Sequence, residues 1–480
     1  MQPFYSVLSA HSKYSVCQEQ PTRFAQRNPI AILSATKTVN RRFERLPLVL
    51  LSILSCLLTS IVSAQDTSPI TDTVTITPKD TSGIKDLSDY VKFLQKSDQS
   101  NSSGAIVPHK MYTNVLPFMG YNPAQGFMLG IAVAQAISLG DPSKVHLSTI
   151  NYGANLTTNR QIILQAKSNL FLKEDKLLAK TDWRLMVFNQ NTFGLGTGDP
   201  FTNGNGAETD IHGVKNDAIT YAQSMKYKYM RLYNSLLKKV GYKMYVGASL
   251  NIDYHFAIED SRAGADSGGH PTNYNAYNIR NKLSSSNSIL TGIGITAIKE
   301  GRDNTIRPTK GYYTNLAVNF YPSFLTSSGS ATQIFFDARK YLSLSKKTPT
   351  HILAFWYWTS LLLNGKLPYL ATASITWDTY NRSGRGYVQG RFRGTNMMYL
   401  EMEHRFPINR NGLLSGVWFI NATTASKDDK TIKMFNYVDP GYGVGIRVLL
   451  SKKTGTNITA DYAWGLYKSK GLYLNLVETF

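Results

Sequence analysis

The 480-residue sequence predicts an all-β fold, a 16-stranded antiparallel transmembrane β-barrel. Three observations lead to this prediction: an alternation of apolar and polar residues, an even number of segments that show it, and a separation of short from long connections. Beyond residue 64 no apolar run approaches the ~20 residues that a membrane-spanning helix requires. If this part of the chain crosses a membrane, it must therefore do so with strands.

The N-terminal segment has the features of a secretory signal. Residues 41–64 read RRFERLPLVLLSILSCLLTSIVSA: a basic start, an apolar core, and small residues before a cleavage site ahead of Gln65. Residues 1–64 are predicted to be an N-terminal extension plus a cleaved signal peptide, with a retained signal anchor as the alternative. Residues 65–111 are predicted to form a short periplasmic segment, in which 84–96 is an amphipathic candidate for plugging the lumen or lying at the periplasmic mouth.

Cysteine content and net charge indicate in which compartment the protein resides and which partners it meets. Cys17 and Cys56 are the only cysteines and both precede the predicted cleavage site, so the exported chain is expected to have no disulfides. The first 64 residues carry a net charge of +5, which leaves +16 of the total +21 for the remaining chain. An exported protein of this charge is expected to meet outer-membrane lipid and lipopolysaccharide phosphate rather than nucleic acid.

The alternation is clearest in residues 242–256, YKMYVGASLNIDYHF. One face is apolar and carries Tyr242, Met244, Val246, Ala248, Leu250, Ile252, Tyr254 and Phe256. The opposite face is mainly polar. In a membrane barrel the apolar face meets lipid, with aromatic residues at the two interfaces, and the polar face lines the lumen. A soluble sandwich shows the same alternation, so this segment alone does not separate the two folds.

The number of strands and the lengths of their connections favour the barrel. Strands are predicted to start near Tyr112, Gly126, Val145, Arg160, Lys176, Ala218, Gly241, Asn287, Gly311, Ala331, His351, Met397, Leu413, Tyr442, Asn457 and Gly471. Connections after even-numbered strands are mostly tight, whereas the long loops 191–217, 259–286 and 365–396 all follow odd-numbered strands. Short periplasmic turns and long external loops are typical of outer-membrane barrels, so residues 112–480 are predicted to form one.

The last ten residues, GLYLNLVETF, form an alternating segment that ends on an aromatic residue. Leu472, Leu474, Leu476 and Phe480 are expected to share one face. This pattern resembles the C-terminal signal by which outer-membrane barrels are recognised for assembly. Glu478 stands where an apolar or aromatic residue is usual in that signal.

An Arg/Gly-rich stretch, RSGRGYVQGRFRG at 382–394, falls in the sixth external loop, between the eleventh and twelfth strands. Its glycines miss the spacing of a dinucleotide-binding loop, and its aromatic surroundings argue against a disordered RNA-binding segment. Arg385, Gly386 and Tyr387 resemble the arginine-glycine-aromatic motif of the bacterial surface antigen superfamily, the 16-stranded barrels of BamA, TamA and the two-partner-secretion transporters. The resemblance implies that this loop folds back into the barrel and that its arginine pairs with carboxylates of the inner wall.

Candidate partners for the loop arginine follow from the alternation of the next strand, MMYLEMEHRF at 397–406. Glu401 and Glu403 lie on the face opposite its apolar residues, so both carboxylates should point into the lumen. Glu403 is the first candidate and Glu401 the second; the alternative is that both face lumenal water. The family often has a further aspartate near the arginine, and here the neutral Asn421 stands at that place. Arg391 and Arg393 are expected near the outer end of the twelfth strand, facing the lumen or lipopolysaccharide phosphate.

Other segments extend the resemblance over roughly residues 112–480. Asp303, Pro308 and Gly311 match the family's turn motif before the ninth strand. BamA-type members carry periplasmic POTRA modules before the barrel, whereas residues 65–111 are too few for one. A compact form of the family that lacks POTRA modules is therefore expected.

The resemblance implies a function in assembling, inserting or translocating proteins at the bacterial outer membrane, with client outer-membrane or secreted proteins as partners. The alternative is a passive pore or a structural subunit barrel without insertase activity. No enzyme is expected, because the eight histidines are scattered and neither G-x-S-x-G nor H-E-x-x-H occurs. No catalytic residue, cofactor or metal site is predicted.

Overall fold

The computed structural model describes residues 109–141, 145–198, 223–260, 272–304, 307–326, 328–345, 350–378, 381–409, 411–451, 456–476 and 478–480. The predicted signal peptide, its cleavage site and the amphipathic segment 84–96 lie outside the described residues. Parts of the loops predicted at 191–217 and 259–286 also lie outside them.

Sixteen antiparallel strands close into one barrel, in which each strand pairs with its neighbours in the sequence and the last returns to the first. The strands are β1 Met111–Asn122, β2 Gly126–Ile137, β3 Ser148–Thr157, β4 Ile162–Leu172, β5 Leu177–Thr192, β6 Gln223–Gly241, β7 Met244–Asp260, β8 Ser288–Glu300, β9 Gly311–Tyr321, β10 Ala331–Ser343, β11 Ile352–Gly365, β12 Met397–Pro407, β13 Leu414–Ala425, β14 Asp439–Ser451, β15 Thr456–Gly465 and β16 Lys470–Leu476. The predicted fold class is confirmed. The predicted strand starts lie within a few residues of the observed ones, apart from Ala218, which lies outside the described residues.

Side chains alternate between the two sides of the barrel wall. In β8, Ile293 and Ile295 are 57% and 68% exposed. Thr296, which lies on the opposite side of the same strand, is 5% exposed. The exposed apolar row suits lipid, which takes the place of water as the surrounding medium. The opposite row faces the interior, which in β7 is lined by the buried polar residues Asn251 and Asp253.

The two ends of the barrel carry connections of different length. Residues 193–222, 261–287 and 366–396 link β5 to β6, β7 to β8 and β11 to β12, and the strand ends that they connect all lie at the same end of the barrel. The opposite end carries short turns, such as 242–243 between β6 and β7. Smaller elements are the helical turns Ser323–Leu325 and Tyr369–Ala371 and the paired two-residue strands Ala373–Ser374 and Arg393–Gly394. The end with long loops is called the external end below, and the other the short-turn end.

One α-helix is described, α1 Asn273–Asn281, within the second long loop. Its N-cap is Thr272, whose side-chain oxygen accepts a hydrogen bond from a first-turn amide. The Tyr277 hydroxyl donates to the carbonyl of Leu367 at 2.7 Å, and its ring packs edge-on against Tyr369. The helix therefore fastens the second long loop to the sixth external loop. Within the described residues no helix has both the length and the apolarity needed to cross a membrane.

The seam between β1 and β16 is short. Tyr121 of β1 lies opposite Leu474 of β16. In this antiparallel register Phe118 would lie opposite residue 477, but β16 is Lys470–Leu476, so β16 faces only the last residues of β1. On its other side, β1 is in register with β2 along its full length.

The end of the chain turns into the barrel and leaves the outer face. Leu472 is 38% exposed, whereas Phe480 is 5% exposed and its ring lies 5.2 Å from that of Trp356 inside the barrel. The prediction that Phe480 shares the face of Leu472 is therefore wrong. The physical reason is Glu478, because a carboxylate is costly at a lipid-facing position. Glu478 instead accepts a hydrogen bond from Arg447 Nε at 3.0 Å in the interior.

Candidate functional site

The sixth external loop, 366–396, packs inside the barrel. Its side chains Ile375, Tyr387 and Phe392 are at most 1% exposed and form one hydrophobic cluster with the inward-facing Trp356 of β11. Burial of these apolar side chains favours the inward position of the loop over an extended position in solvent. The loop thereby brings its arginines against the inner wall.

Arg385 lies at the centre of a buried ionic cluster. Its Nη2 donates hydrogen bonds to carboxylate oxygens of both Glu401 and Glu403 on β12, and its Nη1 donates to Asp461 Oδ2 on β15 at 2.8 Å. The backbone carbonyl of Arg385 accepts a hydrogen bond from Asn421 Nδ2 on β13 at 2.9 Å. The structure thus brings together the loop arginine and all three of the residues named as its candidate partners, and it adds Asp461.

Two further arginines extend the cluster toward the short-turn end. Arg447 of β14 donates to Asp461 Oδ1 at 2.5 Å and to Glu478 Oε2 at 3.0 Å. Arg405 of β12 donates to Glu403 Oε2 at 2.8 Å and to the carbonyl of Phe480 at 3.0 Å. Glu403, Asp461 and Glu478 therefore each lie between two guanidinium groups, whereas the described partners of Glu401 are Arg385 and the Tyr399 hydroxyl. The cluster connects the loop to the end of the polypeptide.

Charge pairing keeps Arg385 and Glu478 ionised although both are buried. Burial alone would lower the pKa of Arg385, but the adjacent carboxylates raise it well above its usual value. Burial alone would raise the pKa of Glu478, but Arg405 and Arg447 lower it to about 2. The Arg385 guanidinium also lies 3.5 Å from the centre of the Phe419 ring, a contact that suits its planar cation.

Gly386 and Tyr387 fit the loop against the last strands. Gly386 has a φ of +104°, and a Cβ there would lie 2.6 Å from the carbonyl oxygen of Trp464. Only glycine therefore satisfies both the backbone conformation and the close approach. The Tyr387 hydroxyl donates to the carbonyl of Pro440 at 2.5 Å and accepts from the amide of Leu466 at 2.9 Å.

Arg391 and Arg393 are 1% and 3% exposed, so they lie in the interior rather than facing lipopolysaccharide phosphate. Arg393 Nη1 donates to three backbone carbonyls of the loop, at Tyr369, Leu370 and Thr372. Of the two environments expected from the sequence, the lumenal one is correct for both arginines. The loop's own carbonyls hold Arg393, whereas Arg391 Nη2 donates to the carbonyl of Gly198 in the first long loop at 3.3 Å.

The turn motif before β9 lies at the short-turn end. Asp303 Oδ1 accepts hydrogen bonds from the amides of Thr309 at 2.9 Å and Lys310 at 3.2 Å. Gly311 has a φ of +110°, and a Cβ there would lie 2.2 Å from the carbonyl of Gly301. Pro308 is buried. These residues shape the connection between β8 and β9 and make no hydrogen bond to Arg385 among the described contacts.

Sequence reasoning did not identify Asp461, Arg447 or Glu478 as members of the cluster. The alternation contained a usable signal for two of them. In YGVGIRV, Arg447 alternates with outward apolar residues, and in DYAWG, Asp461 does the same. A charged residue at an inward position of a closing strand is a candidate partner for a charge carried by an inward loop.

The fold and the buried cluster define an outer-membrane β-barrel whose sixth external loop is held inside by an arginine. The family model for the Omp85 superfamily domain matches residues 189–475, and the chain belongs to this superfamily. The matched residues include the whole in-folded loop and the strands that contact it. The fold and the family place the chain in the bacterial outer membrane.

Solved structures of similar architecture share little sequence with the chain. BamA from Haemophilus ducreyi lacking POTRA domains 1–3 is 11% identical, with a TM-score of 0.49, over 78% of this chain and 71% of that chain. CdiB from Acinetobacter baumannii is 11% identical, with a TM-score of 0.46, over 78% of this chain and 61% of that chain. OprB from Pseudomonas putida is 7% identical, with a TM-score of 0.32, over 76% and 93%. No curated protein matches the sequence.

Proposed function

We propose that this barrel assists the assembly, insertion or translocation of client proteins at the outer membrane by transient separation of β1 from β16. The observation that carries the proposal is the short seam, in which Tyr121 lies opposite Leu474 and β16 ends at Leu476. A seam with few paired residues has few inter-strand hydrogen bonds to break. Its separation therefore costs less than separation of any fully registered pair of strands.

An open seam would present strand edges to a client. Unpaired backbone amides and carbonyls are costly in lipid, and a strand edge is a template for pairing with another chain. A client strand that added to β1 would satisfy these groups while it entered the membrane. The part of β1 that precedes Met119 has no opposing residue within the described part of β16, which makes it the first candidate edge.

The loop-anchoring motif Arg385, Gly386 and Tyr387 is proposed to keep the C-terminal strands together while the seam moves. Its hydrogen bonds reach β12 and β15 through Arg385, and β14 through Pro440. Glu401, Glu403 and Asn421 are proposed as its lumenal partners. Leu472, Leu474 and Leu476 are proposed as the chain's own assembly signal, without Phe480, which turns into the barrel. We infer that opening involves β1 moving away from a rigid wall. Outer-membrane lipid and lipopolysaccharide are the proposed surroundings, and no enzymatic activity is proposed.

A second candidate function, a structural subunit or passive barrel, is favoured by the filled interior. Loop 366–396 and Phe480 both occupy the lumen, and the aromatic ring of Phe480 contacts Trp356. A barrel filled in this way is expected to conduct ions poorly. The two candidates differ in whether the barrel accelerates the folding of another protein.

The test uses the chain from Gln65 onward, which has no cysteine of its own. Tyr121→Cys with Leu474→Cys places two cysteines opposite each other across the seam. Leu129→Cys with Leu156→Cys is the matched control, since these residues lie opposite each other on β2 and β3. Each variant is reconstituted in liposomes, and the folding rate of a test outer-membrane barrel is measured under oxidising and reducing conditions.

The wild-type chain is expected to accelerate folding, and the oxidised seam variant to lose this acceleration until it is reduced. The oxidised control should keep it. Equal acceleration by the oxidised and reduced seam variants would rule out seam opening. No acceleration by the wild-type chain would leave the structural or passive barrel as the function.

A further inference from the structure

A patch of lysines and tyrosines lies on the outer wall at the short-turn end of β6–β10. Lys299 is the exposed residue that ends the outward row of β8, following Ile293 and Ile295. Lys340 is likewise exposed on β10. Both ammonium groups therefore lie where the lipid-facing wall meets the membrane interface.

Tyr312 of β9 joins these two lysines. Its ring centre lies 5.3 Å from Lys299 Nζ and 5.7 Å from Lys340 Nζ, and Lys340 is its direct partner across the strands. Both distances are within the range of cation–π attraction. A Cβ at Gly301 would lie 2.8 Å from the Tyr312 ring. The ring can therefore lie over the turn because residue 301 has no side chain.

The patch continues onto β6 and β7. Lys299 lies opposite Met244, the first residue of β7. In the preceding turn Tyr242 is 79% exposed, with Lys243 Nζ 5.2 Å from its ring centre. Lys238 of β6 is also exposed. These four lysines and two tyrosines lie at the same end of the neighbouring strands β6–β10 and are called the lysine–tyrosine patch below.

Carboxylates do not neutralise this patch. Among the described residues no ion pair joins Lys238, Lys243, Lys299 or Lys340 to an acidic side chain. The nearest acid in sequence, Glu300, is directed to Arg302 at 2.7 Å. Four positive charges at a membrane interface, without acidic partners from the protein, are complementary to the phosphate groups of anionic lipids.

We propose that the lysine–tyrosine patch binds the phosphate headgroups of anionic phospholipids of the phosphatidylglycerol class in the periplasmic leaflet. The lysines supply the charge, and the tyrosine rings hold the ammonium groups at the interface while their apolar bodies contact acyl chains. β8 and β9 lie halfway around the barrel from the seam of β1 and β16. The patch therefore anchors anionic lipid on the side of the barrel away from the seam.

The test uses two double variants. One combines Lys299→Gln and Lys340→Gln, and the control combines Lys430→Gln and Lys433→Gln. Lys430 and Lys433 are exposed in an external loop, so the control loses the same charge at the opposite end of the barrel. Folded proteins are extracted from nanodiscs of phosphatidylcholine containing a minor fraction of phosphatidylglycerol, and the lipids retained by each are counted by native mass spectrometry. Retention is repeated at high salt.

Wild type and control are expected to retain phosphatidylglycerol in preference to phosphatidylcholine, and the Lys299/Lys340 double variant to retain it on the order of tenfold less strongly. High salt should reduce the preference of the wild type, because the attraction is screened. Folding of both variants is checked by the heat-dependent gel shift of intact barrels. No preference in the wild type, or an equal loss in the control, would overturn the proposal.

Discussion

Arg385 and Asp461 are 76 positions apart in the chain and are joined inside the barrel by a 2.8 Å hydrogen bond from Nη1 to Oδ2. Asp461 also accepts a hydrogen bond from Arg447. One carboxylate of β15 therefore links an external loop to β14. The contact joins the loop to the C-terminal strands, an arrangement that suits the proposed movement of β1 away from them.

Substitution of Arg385 is expected to destabilise the barrel strongly. Arg385→Ala leaves the carboxylates of Glu401, Glu403 and Asp461 buried with one cation fewer. Removal of one partner from a buried ion pair costs about 3–5 kcal/mol. The urea midpoint of the folded barrel in micelles measures the loss, with the exposed Lys366→Ala as the control. Equal midpoints for the two variants would contradict a stabilising role for the cluster.

Asp461→Asn is expected to release the loop without unfolding the barrel. The readout is a single cysteine, Ser383→Cys, because Ser383 is 1% exposed within the loop. Its alkylation rate should rise by on the order of tenfold or more when Asp461 is neutralised. Asp337→Asn is the matched control, since Asp337 pairs with Arg339 on its own strand. An alkylation rate no faster than that of the control would show that Asp461 does not hold the loop.

Gly386→Ala is expected to destabilise the inward position of the loop more than Gly329→Ala. Both glycines have a positive φ, +104° and +85°, so both substitutions carry a backbone cost of about 1–3 kcal/mol. Only at Gly386 does the added Cβ also clash, with a backbone carbonyl 2.6 Å away; nothing lies within 4 Å at Gly329. Protease protection of the loop measures the difference. Similar protection in both variants would show that close packing at Gly386 is unimportant.

The contribution of Glu478 is expected to depend on pH. Its pKa is lowered from an ordinary 4.5 to about 2, because Arg405 and Arg447 outweigh the effect of burial. A carboxylate with a lowered pKa stabilises the fold above its unfolded-state pKa, and this contribution is lost as the pH falls from about 4.5 toward 2. The stability difference between wild type and Glu478→Gln should therefore be constant from pH 7 to 5 and shrink below that. Urea midpoints at pH 7, 5 and 3 measure it; a difference that grows on acidification would be incompatible with the pairing.

The sequence was sufficient to predict the barrel because alternation and turn chemistry are local properties. Each strand carries its own apolar face, as in 242–256. Because lipid lies on one side of the wall and a polar lumen on the other, the strand can adopt only the orientation that directs its apolar face to lipid. The same alternation predicted that Glu401 and Glu403 point inward, and the structure places both against Arg385. Whether a strand side chain points into the lumen is also set locally, by its place in the alternation.

Contacts between distant segments could not be predicted in the same way. Phe480 has the parity of an outward residue, but its position depends on where Glu478 finds a cation, and that cation belongs to β14. Likewise the sequence allowed two environments for Arg391 and Arg393, and the lumenal one results from carbonyls of two different loops, at Gly198 for Arg391 and at Tyr369 for Arg393. These outcomes depend on pairing energies between groups brought together only when the barrel closes.

The sequence by itself therefore determined the sixteen strands, the side of the wall on which the residues within each strand lie, and the end that carries the long loops. Backbone geometry gives strands a period of two, but this period does not extend to Phe480 beyond the last strand. Tertiary structure decided which charges meet: Arg385 with Asp461, Arg447 with Glu478. A buried charge must find a partner of opposite sign within hydrogen-bonding distance. That distance is set by the closure of the whole barrel, which no local pattern specifies.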